Sequence, residues 1–112
     1  LLPATGVFAT GNGEAAEVPV PGMVTVAELG STSCVPCKLM LPIMEELEKE
    51  YKDRVAVVLV DVMEHPGAAQ KFEIMAIPTQ IFFDADGKEA TRHVGFMEKA
   101  AIVAELEKLG VK

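Results

Sequence analysis

The segment Val55-Ala56-Val57-Val58-Leu59-Val60 constrains this chain more than any other. It is continuously apolar and rich in β-branched residues. A strand with one face in water alternates apolar and polar side chains; this one does not, so both of its faces must be covered. What precedes it supplies one cover. Met40, Ile43, Met44, Leu47 and Tyr51 recur at three- and four-residue steps, with Glu and Lys between them, and predict an amphipathic helix over Lys38–Tyr51. Pro42 lies inside that helix, removes one hydrogen bond and predicts a kink. Upstream again, Met23–Leu29 reads as a strand.

Downstream, Pro66–Phe72 predicts a short helix with proline in its first turn, reached through the connection Asp61–His65. Thr79–Phe83 is a strand, Asp84-Ala85-Asp86-Gly87 a turn, and Lys88–Val94 the returning arm of a hairpin ended by Gly95. Glu98–Leu109 closes the chain as a helix with Ile102, Leu106 and Leu109 inward. The order β-α-β-α-β-β-α predicts an α/β fold, a mixed four-stranded sheet flanked by helices. Two crossovers are expected to give parallel neighbours, and the hairpin an antiparallel one.

With 112 residues, half of them apolar, the chain has enough for one domain with one core. A net charge of −7 and the lack of a basic run argue against a nucleic-acid surface. No apolar stretch approaches the ~20 residues that span a bilayer. Leu1–Ala9 is apolar and ends in small residues, like the tail of a signal peptide, and Thr10–Pro21 reads as a linker. Residues 1–22 are therefore expected to be a flexible extension or signal-peptide remnant plus linker, and residues 23–112 the folded domain.

The only two cysteines stand in Cys34-Val35-Pro36-Cys37, between the first strand and the first helix. They close too small a loop to restrain the unfolded chain much, so reactivity explains them better than stability. Free N–H groups and the helix dipole favour a thiolate at Cys34, which makes it the expected nucleophile. Cys37, one turn on, is the expected resolving thiol, able to attack the first sulfur and close the ring. A zinc site would need two further ligands, and the only histidines, His65 and His93, are far apart in sequence. A soft-metal carrier is a further alternative. No metal or other cofactor is expected.

Four separated features give the chain from Val24 to Leu109 a resemblance to the thioredoxin superfamily. They are Cys34-Val35-Pro36-Cys37-Lys38 with Pro42 in the following helix, the acid Glu28 six residues before the first cysteine, Ile77-Pro78-Thr79, and Gly95 after the hairpin strand. The departures are Ser33 in place of the family's tryptophan, Val35 for the motif glycine, Glu28 where the family has Asp, and Leu59 where the family's acid has a lysine partner. Ile81-Phe82-Phe83-Asp84, Asp86-Gly87-Lys88-Glu89 and Gly95-Phe96-Met97 look closer to the thioredoxin-like domain of the transmembrane disulfide reductases of the bacterial periplasm. They also resemble small partners of membrane electron carriers of the cytochrome c biogenesis type.

The resemblance implies a thioredoxin-like domain and a thiol–disulfide oxidoreductase that reduces protein disulfides through Cys34 and Cys37. The alternatives are an oxidase or isomerase, or a binding module of the same fold with little turnover. Glu28 is implied to be a buried acid that relays a proton to or from Cys37. Ile77–Pro78 is implied to be a cis bond that presents Ile77's backbone to a substrate strand. Val35, Pro36, Ala76, Ile77, Pro78, Gly95 and Phe96 are implied to form the substrate groove around Cys34. Partners would be disulfide-bearing client proteins and an upstream thiol donor, with a membrane electron carrier as one form of donor. A monomer is expected, exported or periplasmic, with the cytoplasm as the alternative.

Overall fold

The computed structural model describes residues 8–10 and 15–112. Its elements run β1 (Phe8–Thr10), β2 (Ala15–Ala16), β3 (Val24–Gly30), α1 (Val35–Glu50), β4 (Val55–Asp61), α2 (Pro66–Lys71), β5 (Thr79–Phe83), β6 (Glu89–Val94) and α3 (Lys99–Lys108). They form one mixed sheet in the order β2-β1-β4-β3-β5-β6. The thioredoxin-like α/β architecture expected from the sequence is present, with each expected strand and helix within a few residues of its place.

Period-two alternation along the central strands sends side chains to two separate core layers. Val26 of β3 and Phe82 of β5 face one side, where they pack with Met40, Met44 and Leu47 of α1 and Ile102 and Leu106 of α3. Ala27 and Leu29 of β3 and Ile81 and Phe83 of β5 face the other, with Phe8, Val18 and Ala68. β4 supplies Val57 to the first layer and Val58 and Val60 to the second, which is why its sequence does not alternate.

Two expectations are corrected. Only one crossover is parallel: β3 and β4 pair in parallel through α1, whereas β5 pairs antiparallel with β3. β4 ends at Asp61 beside Gly30, and β5 begins at Thr79 beside Leu29, so the α2 connection stays at one end of the sheet. A six-residue helix rises only about 9 Å and does not carry the chain back along a seven-residue strand.

The second correction concerns the segment expected to be a flexible extension and linker. Its described part is built into the fold, so the sheet has six strands rather than four. β1 pairs antiparallel with the edge of β4, Phe8 and Val18 are buried, and the Val20 N–H donates to Thr25 Oγ1. Strands of three and two residues are too short to show periodicity, and the pairing edge they use belongs to a distant segment. The apolar start up to Val7, read as the tail of a signal peptide, lies outside the described residues.

Candidate functional site

Three loops meet at one end of the sheet, at the close of β3, the entry to β5 and the exit from β6. The register sets Leu29 beside Thr79 and Thr79 beside Val94. After β3 the chain turns through Ser31-Thr32-Ser33, with the Cys34 N–H on the Ser31 carbonyl. Cys34 is the N-cap of α1, in extended conformation, and its sulfur accepts from the Cys37 N–H at 3.2 Å. Helix α1 therefore begins at Val35, three residues before the expected Lys38, because Val35 and Pro36 fit a first turn that needs no N–H from proline.

Cys34 and Cys37 are joined as a disulfide. The two sulfurs differ in access: Cys34 is half-buried, while Cys37 is buried against the sheet. Gly30 makes room for the second. A Cβ at residue 30 would stand 2.8 Å from Cys37 Sγ and 3.7 Å from Glu28 Oε2. The acid and the inner sulfur thus flank the same small space at the end of β3.

Glu28 is only 3% exposed. Its Oε1 accepts from Gln80 Nε2 at 2.9 Å, and among the described residues its Oε2 has no hydrogen-bond partner. Burial raises its carboxyl from 4.5 to about 8, against a smaller lowering by the Gln80 hydrogen bond. Glu28 is part of a row that crosses five strands: Ala9, Leu59, Glu28, Gln80 and His93 are register neighbours from β1 to β6. Leu59 stands directly beside the acid and offers it no hydrogen bond.

Gln80 is the residue that sequence reasoning missed. Its Nε2 donates both to Glu28 and to the Gly95 carbonyl, at 3.1 Å, and so ties the buried acid to the loop after β6. The available signal was a glutamine inside the otherwise apolar run Ile81-Phe82-Phe83 and its neighbours, opposite an acid in the paired strand. Gly30 was missed too; its signal was a glycine closing a strand just before the cysteine loop.

The remaining expected residues lie as follows. Ile77–Pro78 is cis, as is Val18–Pro19. Pro78 is buried, and its carbonyl accepts from the Gly95 N–H at 2.7 Å, which locks the β5 entry loop to the β6 exit loop. Ala76 is exposed, and its carbonyl accepts from Thr79 Oγ1. Val35 (65% exposed), Pro36 and Phe96 (43%) are open to solvent. Met75, beside Ala76, is 95% exposed, whereas Met97 is buried and its N–H points at the Met40 sulfur. His93 hydrogen-bonds the Phe96 carbonyl, and His65 packs edge-on against Phe8. Among the described residues, no group of three His, Cys, Asp or Glu side chains is arranged to hold a metal ion.

This geometry has close counterparts. The thioredoxin family model matches residues 16–108. The chain belongs to the thioredoxin family. Thioredoxin of Staphylococcus saprophyticus is 39% identical over 85 residues, which span 76% of this chain and 81% of that protein. Thioredoxin of Staphylococcus aureus is 38% identical over the same shares. The crystal structure of chloroplastic thioredoxin z superposes with a TM-score of 0.71 at 27% identity, covering 80% of each chain.

A thioredoxin with this disulfide is a thiol–disulfide oxidoreductase that acts as a protein-disulfide reductase, using disulfide clients and an upstream thiol donor. These relatives are plain thioredoxins, so the family is shown and the narrower periplasmic branch expected from the sequence is not. No helix among the described residues is long and apolar enough to cross a membrane.

Proposed function

We propose that the reductase works through Cys34 as nucleophile, Cys37 as resolving thiol and Glu28 as proton acceptor, with clients held along the loops at the end of the sheet. The observation that carries this reading is the unequal burial of two bonded sulfurs, the inner one flanked by a buried acid.

In the reduced enzyme the Cys34 thiolate attacks one sulfur of the client disulfide. That S–S bond breaks, a mixed disulfide forms, and the departing client sulfur leaves as a thiolate that takes a proton. The Cys37 N–H, which now points at Cys34 Sγ, is placed to steady the attacking thiolate. Cys37 then gives its proton to the ionised form of Glu28, the minority form at neutral pH because burial raises this carboxyl to about 8. It attacks Cys34 Sγ, whose bond to the client breaks. The second client thiol leaves, and the Cys34–Cys37 disulfide remains. An upstream dithiol reverses these steps and restores the reduced enzyme.

Val35, Pro36, Ala76, Ile77, Pro78, Gly95 and Phe96 form the client groove in this reading. Its support is that the three loops emerge together, that Pro78 and Gly95 are bonded, and that Val35 and Phe96 are exposed apolar side chains. Exposed apolar area at a reactive disulfide suits an extended, partly apolar peptide. The protein acts as a monomer in this scheme. An exported setting with a membrane electron carrier as donor rests on the resemblance of Gly95-Phe96-Met97 alone; cell fractionation of the native protein tests it.

The test of the chemistry is trapping. A Cys37→Ser variant should accumulate disulfide-linked client on Cys34 and release it with dithiothreitol, while wild type turns over insulin disulfides. A Cys34→Ser variant that traps clients equally well would reverse the two roles.

A further inference from the structure

The Glu28 carboxyl is held on one side, and Gln80 holds it. The two are register neighbours on β3 and β5, and Gln80 is wholly buried. Gln80 Nε2 donates to Glu28 Oε1 at 2.9 Å and to the Gly95 carbonyl at 3.1 Å. Both partners are acceptors, so the end of the amide turned toward them has to be its nitrogen. Turning the amide over would set Gln80 Oε1 against two acceptors. In the orientation observed, that oxygen has no partner among the described residues. The Gly95 end is fixed in turn, because the Gly95 N–H donates to the Pro78 carbonyl at 2.7 Å.

A carboxyl group whose Oε1 already accepts an N–H carries its proton on the other oxygen. Glu28 Oε2 is that oxygen, and it is buried with no partner among the described residues. It lies 3.7 Å from where a Cβ on residue 30 would stand, a point 2.8 Å from Cys37 Sγ. The hydrogen bond from Gln80 thus selects which oxygen exchanges a proton and leaves it on the side of the inner sulfur.

We propose that Gln80 is a positioning residue for closure of the disulfide, holding Glu28 with Oε2 on the Cys37 side and keeping its carboxylate fit to take the Cys37 proton. This rests on the reading of Glu28 as proton acceptor. The Gln80 N–H stabilises the charged form of Glu28 and so works against burial, which raises the carboxyl to about 8. The other titratable groups around the pair are Cys37 of α1 and His93 of β6, beside Gln80. Asp61, Glu64 and His65 line a cavity together with Glu28.

The experiment replaces Gln80 with methionine, which has similar length and no donor. In the oxidised full chain, NMR of the Glu28 side-chain carboxyl carbon should show the midpoint rising from about 8 to about 9 or higher, the effect of losing a hydrogen bond to a charged group. Closure is read by mixing the reduced protein with an equimolar amount of dithiobis(nitrobenzoate). Cys34 attacks one sulfur and releases the first coloured thiolate; Cys37 then loses its proton, attacks Cys34 Sγ and releases the second. At pH 7 the second release should be about tenfold slower in Gln80→Met than in wild type. The two should converge near pH 10, where Glu28 is ionised in both. An unmoved midpoint, or an equal loss of rate at every pH, would overturn the proposal. Glu28→Gln separates it from the reading beneath it. If that variant releases the second thiolate at the wild-type rate at pH 7, Glu28 is no proton acceptor and both fall. If it is slow while Gln80→Met is not, only the role of Gln80 falls. A measurement on wild type needs no variant to fold: the Gln80 side-chain N–H protons should titrate with the Glu28 midpoint, and protons that do not move overturn the proposal.

Discussion

The outer and inner halves of the disulfide ring, three residues apart in sequence, sit in opposite environments. Cys34 caps a helix at the meeting of three exposed loops. Cys37 lies one turn inside, against Gly30 and above a buried acid with an unsatisfied oxygen. The outer half is built from local features: a cap, a proline in the first turn and apolar side chains in solvent. The inner half is assembled from β3, β4 and β5, and its electrostatics come from exclusion of water. In the proposed scheme a nucleophile has to be reached and a resolving thiol has to wait, and the contrast in burial would separate those tasks without any difference in residue type.

The largest expected effect breaks the inner half. The folded chain keeps the Glu28 proton up to about pH 8, while the unfolded chain releases it near 4.5. Between those values the native state binds more protons, so this residue's contribution to stability falls as pH rises. Glu28→Gln removes that dependence. Chemical denaturation of the oxidised proteins should show near-equal stability at pH 4 and a variant more stable by roughly 3–5 kcal/mol at pH 9. A constant difference across that range would mean that folding does not raise the Glu28 carboxyl above its ordinary value.

A second measurement sharpens the contrast between the sulfurs. In the reduced protein at neutral pH, iodoacetamide should label Cys34 faster than Cys37 by roughly tenfold to a hundredfold, as mapped by mass spectrometry. Preferential labelling of Cys37 would invert the comparison. The smallest effect belongs to the outer rim. Phe96→Ala removes an exposed ring from the proposed groove, and should raise KM for a peptide disulfide by about two- to fivefold with kcat nearly unchanged. A fall in kcat with KM constant would place Phe96 outside client binding.

The same division decides what was legible in the sequence. Cys34, Pro36, Pro42 and the Asp84–Gly87 turn announce themselves because their effects are local. In that turn Asp84 Oδ1 takes the N–H groups of Asp86 and Lys88. The two-layer core was legible from β4, whose unbroken apolar run has one physical explanation. Glu28 was recognisable as a candidate, but its unpaired oxygen was not, because that depends on which residues the register sets beside it. Leu59 and Gln80 become its neighbours only once three strands are aligned. β1 and β2 were hidden for the same reason, and so was the direction of β5, which follows from how far a short connection travels. Local chemistry reads directly from the chain; whatever depends on sheet register has to be seen folded.

Gly30 gives this a practical edge. Along β3 most positions are judged by how well they fill the core, and a larger side chain fails there by crowding its neighbours. At residue 30 the neighbour that would be crowded is the inner sulfur of the disulfide. When the ring opens, the Cys37 sulfur exchanges a bonded partner for a non-bonded one and has to take up a different position, and the hydrogen of Gly30 is what borders it. Alanine there would put its Cβ 2.8 Å from the Cys37 sulfur and 3.0 Å from the Cys37 Cβ, so it would crowd the inner half of the ring directly. The one hydrogen that Gly30 has in that place is thus the spacer that lets a disulfide close against the end of a strand.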